Sequence, residues 1–169
     1  MATHQHSIVV SVLFTVFGGP GIVLVYLPYW ITRFRVPAAE PLAQMLVGGA
    51  LIVAGLAPLL ESIWRFVTVG QGTLMPTVPT ERLVVSGLYR YVRNPMYVGG
   101  MAALVGEIVL FQKPDLAVYA ALAWLGVHGF VCFYEEPTLK RRYPQDYPRY
   151  QQNVPRWLPR LTAWHDTEN

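Results

Sequence analysis

The chain has 169 residues, of which 53% are hydrophobic and only 14% are charged, and its formal net charge is +3. Soluble domains carry about a quarter charged residues, so this composition excludes an ordinary soluble domain. Four apolar stretches each approach the roughly 20 residues that cross a bilayer. They predict one all-α domain over 1–169, a polytopic membrane helix bundle with an interfacial C-terminal tail.

The first two predicted spans occupy residues 7–31 and 42–69. The first lacks a basic leader and is too long for the apolar part of a cleaved signal peptide, so we expect it to remain as a span. The sequence "GGPG" at 18–21 should bend or interrupt it, because Pro20 removes a backbone donor and glycine relaxes the chain. Pro58 should kink the second span for the same reason.

The last two predicted spans occupy residues 95–112 and 115–134. Gly99 and Ala103 lie four residues apart on the third span, a spacing that lets membrane helices approach closely. Close packing inside the bundle is the favoured interpretation, and a seam between two copies of the chain is the alternative.

Two segments outside the spans are expected to be ordered. The 70–87 loop mixes turn residues with Val and Leu, and Thr80 could cap a short helix in "PTERL". The tail, residues 135–164, mixes arginines with tyrosines and tryptophans, and its five prolines exclude one long helix. Short helical turns along the lipid headgroups are expected there, with aromatic rings at the interface and arginines toward phosphates.

The positive charges are distributed unevenly between the two sides of the predicted bundle. Four spans place the N-terminus, the 70–94 loop and the tail on one side, and that side holds most of the arginines and lysines. The opposite side holds Arg33, Arg35 and Lys113. Positive residues favour the cytoplasmic face, so the N-terminus, this loop and the tail are predicted to be cytosolic.

Two adjacent carboxylates, Glu135 and Glu136, follow the fourth predicted span. We expect them to close that helix, where the negative end of the helix dipole is unfavourable for them. A cation should therefore compensate their charge. One possibility is Lys140 or Arg141, and the other is a bound cation or a ligand amine.

Two further ionisable residues lie inside predicted spans. Glu107 is on the third span, where a carboxylate marks a functional site by default, although it also approaches the far interface near Lys113. His128 precedes Glu135 by seven residues, so the two lie on nearly one face of the fourth helix. His128 could be catalytic, or it could simply bond a neighbour and pack against Trp124.

Several kinds of site are not expected. The other histidines are near the termini, the single Cys132 lies inside a predicted span, and no Cys/His cluster indicates a metal. There is no phosphate-binding loop, dinucleotide fingerprint or serine elbow. The basic tail is explained more simply by membrane lipid than by nucleic acid.

The polar groups instead converge on two places. One is "YRYVRNPMYVGG" at 89–100, which opens the third span, and the other is the carboxylate pair with the tail. If these lie side by side, they border one pocket with a charged end and an apolar end. Such a pocket suits an enzyme that brings a soluble cofactor to a lipid-borne substrate.

These motifs resemble a known superfamily. "YRYVRNPMYVGG" followed by "YEEPTLKRRYPQDYPRYQQNVPRWLP" at 134–159 is similar to the isoprenylcysteine carboxyl methyltransferases and phospholipid methyltransferases, over residues 83–159. "NPMY" and "YEEP" look like phosphatidylethanolamine N-methyltransferases, and the Tyr/Pro-rich ending looks more like the isoprenylcysteine branch. Asn94 stands where the family usually has histidine. Val131 and Cys132 stand where eukaryotic isoprenylcysteine enzymes carry an arginine.

The resemblance implies a membrane enzyme that uses S-adenosylmethionine, with the tail folded over this cofactor as a lid. It also implies a methyl acceptor that is hydrophobic or lipid-anchored and lies in the membrane. The implied cofactor-binding residues are Tyr89, Arg93, Asn94, Pro95, Tyr97, Glu136, Tyr147, Tyr150 and Pro155. A carboxylate acceptor would need no general base, whereas a lipid amine must be neutral when it attacks. The candidate catalytic groups are Glu135, His128 and Glu107.

Several functions remain open at this point. The first is an isoprenylcysteine-type carboxyl O-methyltransferase, and the alternative is a phospholipid N-methyltransferase. Sterol reductases, which would bind NADPH, share a related C-terminal pattern, but the "YEEP" pair favours methyl transfer. A non-catalytic bundle, such as a transporter or assembly subunit, is the third class. A transporter would carry its key charge near the midplane, whereas these charges gather at one face.

Overall fold

A computed structural model of the protein describes residues 17–37, 41–68 and 83–165. All regular structure in these ranges is helical, which confirms the all-α prediction, and the short helix expected at Thr80 lies outside them. A 3₁₀ turn at Gly87–Arg90 precedes the third helix. The helices are α1 (Gly19–Thr32), α2 (Leu42–Thr68), α3 (Pro95–Phe111), α4 (Pro114–Arg142) and α5 (Asp146–Asn153).

Two of these helices are long and apolar enough to cross a membrane. They are α2, over Leu42–Arg65, and α4, over its whole length of 29 residues. Helices α1 and α3 are also apolar but shorter, and the predicted 7–31 span begins before the described residues. The composition and two long helices support a membrane protein, and the full set of four spans stays a prediction.

Helix α1 begins where the "GGPG" sequence predicted a break. Gly18 has non-helical backbone angles, with φ −108° and ψ −141°, and Pro20 occupies the first turn of the helix that follows. Proline suits this position because the N–H groups of the first turn have no intrahelical partner. Helix α2, in contrast, continues through Pro58 without interruption.

The C-terminal end of α4 differs from the prediction. The helix was expected to end at residue 134, but it passes through Glu135, Glu136 and Pro137 and ends at Arg142. A π-helical turn over Val131–Glu135 precedes the proline. In a π turn each N–H bonds the carbonyl oxygen five residues back. The i to i−4 hydrogen bonds that proline would interrupt are therefore already replaced just before Pro137. The carboxylate pair therefore lies within a helix and not at its end.

Helices α2 and α3 pack with their backbones in near contact. A Cβ atom added at Gly55 would lie 2.4 Å from the backbone nitrogen of Ala103 and 2.5 Å from the carbonyl oxygen of Gly99. At Gly106 it would lie 2.7 Å from the carbonyl oxygen of Gly48. The small residues thus form a seam inside the bundle, as the favoured interpretation of the Gly99 and Ala103 spacing predicted.

The tail folds back over one end of the bundle. Its buried residues Tyr147, Tyr150 and Val154 form a second small core with Leu83 and Val85 and other apolar side chains. Backbone hydrogen bonds then pair the chain after α5 with the chain before α3. They run from Arg93 N to Pro155 O at 2.9 Å, from Arg160 N to Tyr91 O at 3.0 Å and from Trp164 N to Arg90 O at 2.9 Å. This pairing brings the two polar sequence motifs to the same end.

Candidate active site

Glu136 is the centre of a buried ion-pair cluster. Arg93 Nη1 donates to its Oε1 at 2.7 Å, and Arg156 donates to both of its oxygens, Nε to Oε1 at 2.6 Å and Nη2 to Oε2 at 2.9 Å. Gln151 Nε2 adds a fourth hydrogen bond to Oε2 at 3.1 Å. The side chains of Glu136 and Arg93 are only 6% and 8% exposed, whereas that of Arg156 is 31% exposed. Two guanidinium groups therefore neutralise this carboxylate in a setting of low dielectric.

The cations that form hydrogen bonds to Glu136 are not those named from the sequence. Lys140 is exposed, and Arg141 donates to Thr138 Oγ1 at 3.1 Å. The expectation that one of these two residues compensates the carboxylate holds only in part, since Lys140 adds an attraction to Glu136 that is weaker than those of Arg93 and Arg156. The expectation assumed a helix end at this point and considered only neighbours within one turn. The stronger compensating charges come from outside α4, from the residues before α3 and after α5.

The residues before α3 hold the tail in place. The Asn94 side chain is buried, and its Nδ2 donates to the carbonyl oxygen of Arg156 at 3.2 Å. Pro95 is buried at the first position of α3, and Pro155 contributes its backbone carbonyl, which accepts from the N–H of Arg93. Asn94, Pro95 and Pro155 therefore position Arg93 and Arg156 around the cluster.

Three of the four tyrosines named as cofactor ligands, Tyr89, Tyr147 and Tyr150, have different surroundings. The Tyr147 hydroxyl accepts from Arg93 Nη1 at 3.3 Å, so it borders the cluster. Burial, reinforced by the negative charge of Glu136, raises the pKa of Tyr147 to about 12, and the phenol therefore stays neutral near pH 7. Tyr150 donates to the carbonyl oxygen of Tyr89 at 2.6 Å, and both rings are buried. Tyr150 and Tyr89 thus join the tail to the segment before α3.

Beside the cluster, Tyr97 joins the polar region to an apolar cavity. Its hydroxyl donates to Glu135 Oε2 at 3.2 Å, and Glu135 is the chain neighbour of Glu136. Tyr97 also lines a cavity of about 260 Å³ between α1, α2, α3 and α4. Other lining residues are Pro20, Leu24, Leu59, Met101 and Phe130. A single aromatic side chain therefore separates a carboxylate from a space that suits a hydrocarbon chain.

His128 is held by neighbours on another face of α4. Trp157 Nε1 donates to His128 Nδ1 at 3.1 Å, and Cys132 Sγ lies 3.6 Å from His128 Nε2. The wider π turn between His128 and Glu135 shifts the helical phase, so they do not share the face expected from their spacing. The hydrogen-bonded alternative describes His128 in this structure.

Glu107 is not brought to the cluster. It lies ten residues after Tyr97 on α3, which corresponds to about 15 Å along the helix axis. The residue is 7% exposed, and within the described ranges its Oε2 has no hydrogen-bond partner. The structure thus separates Glu107 from the carboxylate pair, with which the sequence had grouped it.

Sequence reasoning missed three residues that complete the site, namely Arg156, Gln151 and Trp157. All three lie in the tail and reach α4 through long-range contacts. A signal was present, because adjacent carboxylates in an apolar setting need more than one cation, and Arg156 stands inside the "VPRWLP" motif. Within the described residues no group of three or more His, Cys, Asp or Glu side chains could hold a metal ion.

Parts of the chain are similar in sequence to known proteins. A family model described as phospholipid methyltransferase matches residues 43–146. A phosphatidylethanolamine N-methyltransferase of Yarrowia lipolytica is 33% identical over 63 residues, 37% of this chain and 7% of that protein. The protein-S-isoprenylcysteine O-methyltransferase B of Arabidopsis thaliana is 32% identical over 80 residues, 47% of this chain and 40% of that protein.

A third relative has a name of another kind. The nickel-cobalt-cadmium resistance protein NccN of Alcaligenes xylosoxydans xylosoxydans is 31% identical over 85 residues, 50% of this chain and 39% of that protein. The chain thus covers 40% or less of the length of each of these three curated relatives. No solved structure matches the chain.

Proposed function

The chain belongs to the phospholipid methyltransferase family, and we propose that it is an integral membrane enzyme that transfers the methyl group of S-adenosylmethionine to a lipid-like acceptor. The observation that carries this proposal is the Tyr97–Glu135 contact, which joins the charged cluster to the apolar cavity. An enzyme of this kind must bring a polar cofactor and an apolar substrate together, and this end of the bundle offers a region suited to each. As part of the proposal, all four apolar helices span the membrane, and the tail lies on the cytosolic side.

The side chains around the cluster fit the polar groups of S-adenosylmethionine. That molecule carries a carboxylate, an ammonium group, a sulfonium and ribose hydroxyls, which call for guanidinium donors and carboxylate acceptors. Arg93 Nε is buried without a hydrogen-bond partner among the described residues, so one guanidinium donor remains available. Glu135 and Tyr147 would supply acceptors. When bound, the cofactor supplies a methyl group on sulfur that already has its leaving group, so the protein mainly provides alignment and exclusion of water.

Glu136 would act on the cofactor through other residues. Each of its two oxygens already accepts two hydrogen bonds, from Arg93, Arg156 and Gln151. Little acceptor capacity remains for a ligand. We therefore assign Glu136 as a positioning residue that fixes the two guanidinium groups, in place of the direct cofactor contact expected from the sequence.

The cavity and Glu135 together favour an amine as the acceptor. A hydrocarbon chain in the cavity would place its polar end near Tyr97, one hydrogen bond from the Glu135 carboxylate. In its ionised form this carboxylate attracts an ammonium headgroup and repels a carboxylate. An amine must also lose a proton to attack, and Glu135 is the nearest carboxylate to accept it. An isoprenylcysteine-type carboxylate is the second candidate, because the Arabidopsis thaliana protein of that name is among the relatives.

Methyl-label transfer in lipid nanodiscs tests this function. The purified protein is given S-adenosylmethionine labelled on the methyl group, with phosphatidylethanolamine in one sample and a prenylcysteine carboxylate in the other. We expect label in the phospholipid and a strong loss of transfer in Glu135→Gln, which keeps the shape but not the charge. Label only in the prenylcysteine would overturn the amine assignment and leave methyl transfer standing.

A binding measurement separates the cofactor from the acceptor. S-adenosylhomocysteine should raise the melting temperature with increasing concentration, because it binds only the folded state, whereas NADPH should not. Stabilisation by NADPH alone would overturn methyl transfer in favour of a reductase. No stabilisation by either ligand would favour the non-catalytic bundle.

A further inference from the structure

The loop Pro155–Leu161 has an unusual division of polar and apolar side chains. Leu158 is 80% exposed and Leu161 is 100% exposed, the largest exposed fractions among large apolar residues of the tail. The two arginines of the loop turn back to the protein. Arg156 binds Glu136, and Arg160 Nη1 donates to the carbonyl oxygen of Asn153 at 2.9 Å. The loop thus presents leucines outward and keeps its charges inward, the reverse of a loop in water.

The loop contacts α4 at a height that falls within the hydrocarbon core if α4 spans the membrane from Pro114. The roughly 20 residues that cross the bilayer core, counted from Pro114, end near residue 133. Trp157 packs on Trp124 with ring centroids 4.5 Å apart, and it bonds His128. His128 and Trp124 precede that boundary by five and nine residues, or about 8–14 Å at the helical rise. The Trp157 ring therefore lies below the polar boundary of the helix that it contacts.

The backbone of the loop leaves four N–H groups, and not seven, to be satisfied in an apolar surrounding. Exposed N–H groups are costly among acyl chains, and few irregular segments tolerate that position. Pro155 and Pro159 have no N–H, and the N–H of Arg160 is bonded to the carbonyl oxygen of Tyr91. Three of the loop's seven residues thus leave no free backbone donor.

From these observations we infer that Pro155–Leu161 is a membrane-inserted anchor, with Leu158 and Leu161 seated among the lipid chains beside α4. Its partner is the bilayer that contains α4, since Trp157 of the loop packs on Trp124 of that helix, which also exposes Leu122 and Leu125. Insertion would hold Arg156 on Glu136, because the guanidinium and the anchor belong to one short segment. The bilayer would then help to keep the polar cluster closed. This inference rests on the membrane position of α4 and not on methyl transfer.

Depth-dependent quenching tests the anchor without any cofactor or substrate. Cys132 is replaced by serine to give a background without cysteine, and single cysteines are introduced as Leu158→Cys or Leu161→Cys and labelled with an environment-sensitive fluorophore. Gln152→Cys, at an exposed position on α5, is the matched aqueous control, and Leu125→Cys on α4 is the lipid control. Each labelled protein is reconstituted in nanodiscs containing nitroxide lipids, or in plain nanodiscs with aqueous iodide.

We expect the labels at 158 and 161 to be quenched by nitroxide lipid about three-fold more than the label at 152, and to be protected from iodide as at 125. Quenching of both by iodide to the same extent as at 152 would overturn the anchor. Since all four positions are exposed, the labels displace no packed side chain, and the 125 label verifies insertion of the bundle in each preparation. Loss of methyl transfer with unchanged quenching would count against the proposed function and leave the anchor intact.

Discussion

Replacing Glu136 by glutamine tests the ion-pair cluster most directly. The substitution keeps the shape of the side chain and removes its charge, so Arg93 and Arg156 lose their shared counter-ion. The three hydrogen bonds from Arg93 and Arg156 keep their charged donors but lose the negative charge of their acceptor, and the amide NH₂ of glutamine cannot accept at one of the two oxygen positions. A hydrogen bond to a charged group is worth about 1.5–3 kcal/mol and one to a neutral group about 0.5–1.5 kcal/mol, so the loss of the acceptor's charge costs about 1 kcal/mol for each bond.

The loss is not the same for the two arginines. Arg93 is nearly fully buried and should lose the whole of that amount. Arg156 is 31% exposed, and water would compensate about half of the loss in each of its two bonds. The expected destabilisation is therefore about 2 kcal/mol, which for a chain of this size lowers the melting temperature by about 4–8 °C.

Thermal unfolding in one detergent measures this effect, with Glu61→Gln as the matched control. Glu61 pairs with Arg65 one helical turn away, and their side chains are 30% and 33% exposed. Such a pair is worth about 0.5 kcal/mol or less, so this control should shift the melting temperature by about 1–2 °C. Glu136→Gln should also weaken S-adenosylhomocysteine binding, whereas Glu61→Gln should not. Equal, small shifts in both variants would refute a stabilising role for the cluster.

Three smaller changes test the seam, the turn and the site. Gly55→Ala would place a methyl group 2.4 Å from the backbone of α3 and should destabilise the protein by several kcal/mol in thermal unfolding. The control Gly126→Ala adds a methyl group that meets nothing within 4 Å, so it should be neutral or stabilising by up to about 1 kcal/mol. Equal melting temperatures of the two variants would argue against the seam. Gly87 has φ +56°, a left-handed conformation that costs an alanine about 1 kcal/mol or more, so Gly87→Ala should lower the melting temperature by at least about 2–4 °C. An unchanged melting temperature would contradict this backbone conformation. Tyr97→Phe removes the hydrogen bond to Glu135 and should lower kcat about ten-fold with little change in melting temperature, and unchanged kcat would remove Tyr97 from the mechanism.

The sequence by itself determined the helical class, the approximate helices and the position of the first polar motif. These features follow from local composition, since about twenty apolar residues make a span and an Asn94–Pro95 step starts a helix. The bounds of α2 and α3 agree with the predicted spans to within one residue. The resemblance carried by "NPMY" and "YEEP" was likewise local, and the family match confirms it.

Only the tertiary structure decided which charged groups meet. Arg93, Gln151 and Arg156 reach Glu136 from 43, 15 and 20 residues away along the chain, and helical periodicity gives no information about such contacts. The π turn before Pro137 could not be foreseen from spacing either, although it keeps α4 continuous. Glu107, as a carboxylate in an apolar segment, was grouped with the carboxylate pair in the sequence, and the fold separates them. Burial of a charge depends on what surrounds it in three dimensions, and the chain sets those surroundings only when the tail folds back over the bundle.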